Sequence, residues 1–169
     1  MSPRRRQLSA ALAGLAGLAT LWLAGCAQPV LRPLDTSRGY WRGRLALRID
    51  DRLEPRSFFA NFELSGAADA GELLLSSPLG TTLAQLRWSP QSALLRNNGQ
   101  TRAFDSLDAL AIEATGTAIP IAALFEWLQG RAAPADGWQA DLTQLEAGRL
   151  LARREQPAPA AELRLILEP

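Results

Sequence analysis

The chain of 169 residues contains no histidine, and its 18 basic residues are all arginine. The absence of histidine excludes the commonest general base, the Ser-His-Asp triad and most zinc sites. The absence of lysine excludes Schiff-base chemistry. Phosphate-binding loops, dinucleotide fingerprints and calcium loops are also missing. We therefore expect no metal site, and any active site would have to consist of carboxylates, hydroxyls and arginines.

Cysteine is almost absent, because Cys26 is the only one and an intrachain disulfide is thereby excluded. Cys26 ends a segment with the layout of a secretory signal. Three arginines (residues 4–6) precede an uncharged apolar run over residues 8–24, and small residues come directly before the cysteine. An uncleaved membrane anchor is the alternative, but the run is short for a spanning helix and rich in alanine and glycine. We predict a signal peptide over residues 1–25.

Removal of this signal leaves a chain of a size suited to one domain with a substantial core. The signal contains three of the 18 basic residues and none of the 17 acidic ones, so the remainder has a net charge of −2. Such a balance provides no strong overall field for nucleic acid or an anionic membrane surface. We expect no nucleic-acid partner. Two prolines and little periodicity over residues 27–38 indicate a tether, so residues 26–39 are assigned to it and residues 40–169 to the domain.

Strands are predicted along most of the domain. From Tyr40 to Ile49 apolar residues alternate with mostly charged ones, and a second alternating run covers residues 58–64. Shorter runs follow at residues 73–75, 82–88, 93–96 and 101–104, with the hairpin signal Asn97-Asn98-Gly99 between the last two. Near the C-terminus, runs over residues 138–143, 148–154 and 161–167 again have strand character. This spacing predicts an antiparallel meander.

Two helices are predicted between the sixth and seventh strands. Asp105 or Ser106 can cap a helix that continues to about Ala114. A second helix begins at Pro120, has an apolar stripe and ends at Gly130. The simplest packing is a single mainly β domain, in which helices cover one face or mouth of a curled sheet. Such a sheet can enclose an apolar pocket.

Two segments of the domain have distinctive motifs. In the first, Ser77-Pro78-Leu79-Gly80-Thr81-Thr82 follows a leucine-rich strand. The second contains Gly116, Ile119-Pro120-Ile121, Leu124, Trp127-Leu128 and Gly130. The first segment resembles the leucine-rich strand and turn of the LolB family of outer-membrane lipoproteins, and the second is similar to that family's Gly-x-x-Ile/Leu-Pro segment. Both lie in the family's order behind a lipobox that ends at Cys26. The chain departs from the family pattern at Leu64, where many members have tryptophan, and at Gly71, where tyrosine is common.

The resemblance implies a fold and a function. The fold is an unclosed antiparallel β-barrel with a helical lid over an apolar cavity. The function is non-enzymatic: the protein accepts lipoproteins from the periplasmic carrier LolA, holds their acyl chains and inserts them into the outer membrane. Cys26 would carry the covalent lipid, with no other cofactor. The implied location is the periplasmic face of the outer membrane, in contact with its lipid, and we expect a monomer.

Leu79 is the sharpest single candidate. It stands between Pro78 and Gly80 at the tip of a predicted turn, where burial is difficult, and an apolar residue there can enter a bilayer. The resemblance gives this leucine a role in passing cargo to the membrane. A leucine that folds back onto the core, or is simply exposed, is the alternative.

Acyl chains require apolar area without directional bonds, so candidates for the cavity and lid are chosen by apolar character and position. They are Leu45, Leu47, Phe58, Phe62, Leu73, Leu75, Leu86, Trp88, Ile121, Leu124, Trp127 and Leu128. Any of these could instead be plain core.

Two other functions remain open at this point. A lipid-anchored adaptor for an envelope assembly would have a filled core and take up no lipid. An enzyme of the cell wall would need two carboxylates. Glu113 and Glu126 could be nominated, but both fall on predicted helices and are better explained as solvated.

Overall fold

A computed structural model describes residues 38–52 and 54–169. The predicted signal peptide, Cys26 and most of the tether lie outside the described residues. Nine strands and two α-helices make up the described part. The strands are β1 (Tyr40–Asp50), β2 (Arg56–Gly66), β3 (Gly71–Ser76), β4 (Thr82–Ser89), β5 (Ser92–Asn97), β6 (Gln100–Phe104), β7 (Trp138–Asp141), β8 (Arg149–Arg154) and β9 (Ala160–Leu167). The helices α1 (Leu107–Thr115) and α2 (Ile121–Leu128) lie between β6 and β7.

All nine strands form one antiparallel sheet in the order β6-β5-β4-β3-β2-β1-β9-β8-β7. The first strand is central because β1 pairs with β2 on one side and with β9 on the other. The sheet is not closed, since β6 and β7 are its two edges. This confirms the predicted unclosed antiparallel sheet with two helices.

Alternation along β1 decides which side chains enter the core. Leu45, Leu47 and Ile49 are buried, whereas Arg44 and Arg48 between them are exposed. Buried side chains of the other strands join them in one core, which also contains the apolar faces of both helices. Among the described residues, every buried member of this core lies between Leu45 and Leu165.

Local signals place the ends of the helices. The Ser106 hydroxyl accepts a hydrogen bond from the Ala109 amide at 3.1 Å and caps α1. Gly116 follows α1 in the left-handed conformation with φ of 79°, which a side chain would disfavour. Pro120 directly precedes α2, and Gly130 ends that helix region with φ of 77°. Both helices therefore lie close to the predicted positions.

The strand predicted over residues 138–143 is shorter in the structure, where β7 ends at Asp141. The Asp141 carboxylate accepts hydrogen bonds from the Thr143 amide at 3.0 Å and the Thr143 hydroxyl at 2.6 Å. This side-chain turn competes with the ladder and directs the chain into a 3₁₀ turn at Leu145–Ala147.

Gly71, the departure noted in the sequence, lies directly opposite Trp88. A Cβ at position 71 would approach Trp88 Cζ2 to 2.6 Å. The Trp88 ring therefore occupies the space that a larger residue at position 71 would need.

Candidate functional site

A small cavity of about 20 Å³ lies between the sheet and the two helices. Its wall consists of Leu45, Phe58, Phe62, Leu64, Leu73, Leu75, Leu86, Ala111, Thr115, Ile119, Ile121, Leu124, Leu163 and Leu165. Thr115 is the only polar residue in that wall. Its hydroxyl donates to backbone oxygens, with Ala111 at 2.8 Å and Thr117 at 2.9 Å in reach. The wall consequently offers contact area without directional bonds.

Helix α2 covers this cavity with a mostly apolar surface. Six of its eight residues are buried, and Phe125 packs edge-on against Trp41 and Trp88 at ring-centroid distances of 5.7 and 6.1 Å. Its exposed charge, Glu126, forms an ion pair with Arg131 just beyond the helix, and this hydrogen bond holds the pKa of Glu126 below its ordinary value. Side-chain packing therefore holds α2 on the sheet.

The segment that joins α1 to α2 is bound to the C-terminal strands by a buried arginine. Arg154 donates to the Thr117 hydroxyl at 2.7 Å and to the Ala118 carbonyl at 3.3 Å. The Trp138 indole donates to the same carbonyl at 3.1 Å, and the Arg154 guanidinium lies 5.4 Å from its ring centroid. Burial lowers the pKa of Arg154. This contact anchors the helical cover at its linker.

The sequence interpretation missed Arg154, although a signal was present. Leu150 and Ala152 are on the inward side of β8, and Arg154 has the same phase. A charged residue at an inward position needs partners, since burying an unpaired charge is costly. Two of its partners, Thr117 and Ala118, could not be read from the sequence because they are more than 30 residues away. The third, the Pro159 carbonyl at 3.0 Å, lies only five residues further along the chain.

Leu79 lies at the tip of the turn between β3 and β4 and is 95% exposed. The Gly80 amide donates to the Ser77 carbonyl at 2.8 Å, and Gly80 has φ of 84°. Pro78 fits the second position of such a turn, where its fixed φ is favourable. The backbone thus holds the leucine side chain in solvent.

The structure brings together eight of the twelve predicted cavity and lid residues. The eight in the cavity wall are Leu45, Phe58, Phe62, Leu73, Leu75, Leu86, Ile121 and Leu124. The other four are buried outside that wall: Leu47, Trp88, Trp127 and Leu128. Wall residues that were not nominated are Leu64, Ala111, Thr115, Ile119, Leu163 and Leu165. Strand alternation marked several of these as inward, but the packing of the helices decides which of them meet.

Comparisons with known proteins identify the family. A family model described as "Outer membrane lipoprotein LolB" matches residues 40–162. The chain belongs to the LolB family. Outer-membrane lipoprotein LolB of Bordetella petrii is 32% identical over 178 aligned residues, which cover 90% of this chain and 89% of the relative. The protein of the same name from Bordetella pertussis is 34% identical, and the match covers 59% of this chain and 62% of the relative. The protein of the same name from Shewanella woodyi is 34% identical, and that match covers 69% of this chain and 53% of the relative.

Membership in the LolB family confirms the predicted location as a lipid-anchored protein of the outer membrane. No helix within residues 38–52 and 54–169 is long and apolar enough to cross a membrane. The same described ranges contain no cluster of three or more side chains suited to hold a metal ion.

Proposed function

We propose that this LolB-family protein receives lipoproteins from the periplasmic carrier LolA, holds their acyl chains between the sheet and the helices, and inserts them into the outer membrane. The observation that supports this most directly is the cavity wall. It is apolar throughout except for Thr115, whose hydroxyl is bonded to backbone. Such a wall offers acyl chains apolar contact area and contains no titratable side chain for bond-changing chemistry.

The cavity must widen to accept an acyl chain. Its volume of about 20 Å³ is enough for roughly one water molecule. We infer that α2 shifts over the sheet, because side-chain packing holds it there and the hydrogen bond from the Trp127 indole to the Ala133 carbonyl stays within the helix and the segment after it, while Arg154 retains the linker.

The cost of exposing the apolar face of α2 can be compared with the free energy that an acyl chain gains on burial. Exposing its five larger buried side chains to water would cost about 10 kcal/mol. An acyl chain contributes about 0.8 kcal/mol for each methylene it buries. A dozen methylenes would therefore offset the cost. We infer that α2 slides over the entering chain and that its apolar face stays covered.

Leu79 would act in the last step. Full burial of one leucine in lipid contributes about 1.5–3 kcal/mol, which can hold the tip of the turn at the bilayer during release but cannot anchor the protein. Anchoring would come from the covalent lipid on Cys26, after cleavage of residues 1–25. The domain would then work as a monomer on the periplasmic face of the membrane.

The test uses the mature lipidated chain in liposomes, mixed with LolA loaded with a radiolabelled lipoprotein. We expect label to reach this chain and then the bilayer. Leu79→Glu should leave the fold intact, because the side chain is 95% exposed, and should lower insertion about 10- to 100-fold. Gln91→Glu, on an exposed turn between β4 and β5, adds the same charge as a control. Normal insertion by Leu79→Glu would contradict the role of the turn.

The small cavity volume also favours a second candidate, a lipid-anchored adaptor whose core is simply filled. An apolar dye separates the two functions. Dye uptake by residues 27–169, with displacement by added lipid, supports the acceptor. A folded chain that takes up neither dye nor lipid supports the adaptor.

A further inference from the structure

Part of the outward face of the sheet is rich in arginine, and the carboxylates of Asp50, Glu63 and Asp141 lie on the same face at its margins. Strand register aligns three rows of side chains across β8, β9, β1 and β2, which together we call the outer patch. The rows are Arg149, Ile166, Arg44 and Asn61; Leu151, Arg164, Ala46 and Phe59; and Arg153, Glu162, Arg48 and Ser57. Five arginines thus accompany one glutamate, although residues 26–169 as a whole have a small net negative charge.

Much of this charge is not neutralised within the protein. Glu162 is shared by Arg153 and Arg164, at 2.8 and 2.6 Å, and Arg48 pairs with Asp50 just outside the patch. Among the described residues, no carboxylate lies within 4.0 Å of Arg44 or Arg149. The patch therefore retains an excess of exposed guanidinium groups.

Large apolar side chains lie among these arginines. Phe59 is 68% exposed and Ile166 is 44% exposed. The Leu79 turn adjoins them, because the Asn61 side-chain amide donates to the Ser77 carbonyl at 3.3 Å. Basic and apolar side chains on one surface are typical of proteins that lie at a membrane interface.

A shallow groove of about 390 Å³ crosses one side of the patch. Arg149 and Arg164 line it together with Leu151 and Ile166, and Asp141 and Gln144 are also part of its lining. Guanidinium groups bind phosphate oxygens through paired hydrogen bonds. The groove thus combines guanidinium groups, which can donate hydrogen bonds to phosphate, with apolar side chains.

The tether allows this face to reach the membrane. Tyr40, which begins β1, comes 14 residues after Cys26, so the intervening chain spans up to about 50 Å. Tyr40 and the outer patch share the outward side of β1. A domain lying on this side keeps the start of β1 and the Leu79 turn near the bilayer at the same time.

We propose that the outer patch docks on the anionic phospholipids of the bilayer that holds the anchor, with the arginines on lipid phosphates and Phe59 and Ile166 among the headgroups. This rests on the proposed function for the lipid anchor and the role of Leu79. Docking on one face sets the orientation in which the Leu79 turn meets the membrane.

The test places a single dye on the patch. Because lipid occupies the only native cysteine, Phe59→Cys offers one free thiol for an environment-sensitive fluorophore on the mature lipidated chain. In liposomes that contain phosphatidylglycerol, we expect blue-shifted emission and protection from iodide quenching. In liposomes of phosphatidylcholine alone, protection should be largely lost. Thr101→Cys, exposed on the edge strand β6, should stay accessible to iodide in both.

Arginine-to-glutamine variants test whether the arginines contribute to docking. Docking is again measured with the fluorophore attached to Phe59→Cys. Each arginine close to an anionic membrane is worth about a fivefold change in the docking equilibrium, so Arg44→Gln with Arg164→Gln should lower it about 25-fold at low salt. Arg96→Gln with Arg102→Gln removes the same charge from β5 and β6 and should have little effect.

Three results would overturn the proposal: equal quenching at position 59 in anionic and neutral liposomes, equal effects of the two charge variants, or protection that appears only when LolA is added. The last would identify a protein-docking face. The proposed function is tested separately by insertion of labelled lipoprotein. Leu79→Glu should lower insertion about 10- to 100-fold and leave the dye on the patch protected.

Discussion

Leu124→Ala tests the assignment of the space beneath α2. Leu124 is 4% exposed, belongs to α2 and lines the cavity. Truncation removes the methyl groups that the sheet packs against and enlarges the cavity without adding a polar atom. The enlarged space should stay dry and accept apolar molecules.

The stability lost by the truncation and the stability gained from a bound ligand have opposite signs and similar size. A buried leucine truncated to alanine costs about 2–5 kcal/mol, depending on how far the site collapses. A ligand present at 100 times its dissociation constant returns about 2.7 kcal/mol. A fatty-acid probe should therefore restore most of the stability lost by Leu124→Ala. Its effect on the native chain should be smaller, because there the probe must first displace α2.

Urea denaturation of residues 27–169 without decanoate measures the stability lost by the truncation. The same experiment with decanoate measures how much stability the bound probe restores. Leu95→Ala is the matched control, since Leu95 is 1% exposed on β5 and lies outside the cavity wall. It should lose similar stability and show no enhanced rescue by decanoate. Equal rescue of the two variants, or rescue of neither, would refute the assignment of acyl chains to this space.

Two further predictions concern the sheet. At position 43 a Cβ would lie 2.0 Å from the Ile166 carbonyl oxygen, so Gly43→Ala should separate β1 from β9 and lower the urea midpoint, whereas an unchanged midpoint would show that the strands adjust freely. Hydrogen bonds from Arg153 and Arg164 hold the pKa of Glu162 below its ordinary value of 4.5. A lowered folded-state pKa stabilises the protein above the unfolded pKa, and this contribution is lost as the pH falls through the folded value. Glu162→Gln should therefore reduce the loss of stability between pH 7 and pH 3, and an unchanged loss in urea titrations at the two pH values would exclude this ion pair as a source of acid sensitivity.

Most of the secondary structure could be predicted from the sequence because its signals are local. Alternation along residues 40–49 marks β1, and a serine hydroxyl at position 106 caps α1 within three residues. Asn98 and Gly99 adopt φ of 51° and 76°, as the hairpin signal requires. The exposed leucine at position 79 follows from its neighbours, proline and glycine. The strand predicted to continue to residue 143 failed where an aspartate side chain competed with the ladder.

Three features could be decided only by the tertiary structure, because each depends on contacts between residues far apart in the sequence. The buried position of Arg154 rests on partners in the linker between the helices, and the closed state of the cavity rests on how α2 packs over the sheet. The outer patch needs Arg44 aligned with Ile166, which is more than 120 residues away. Strand register between such distant segments is set by the packing of the whole core. The sequence alone determined most of the inward apolar positions and where the apolar turn lies. Only the folded sheet decided that a chain with almost balanced charge places five arginines and one glutamate together in the outer patch.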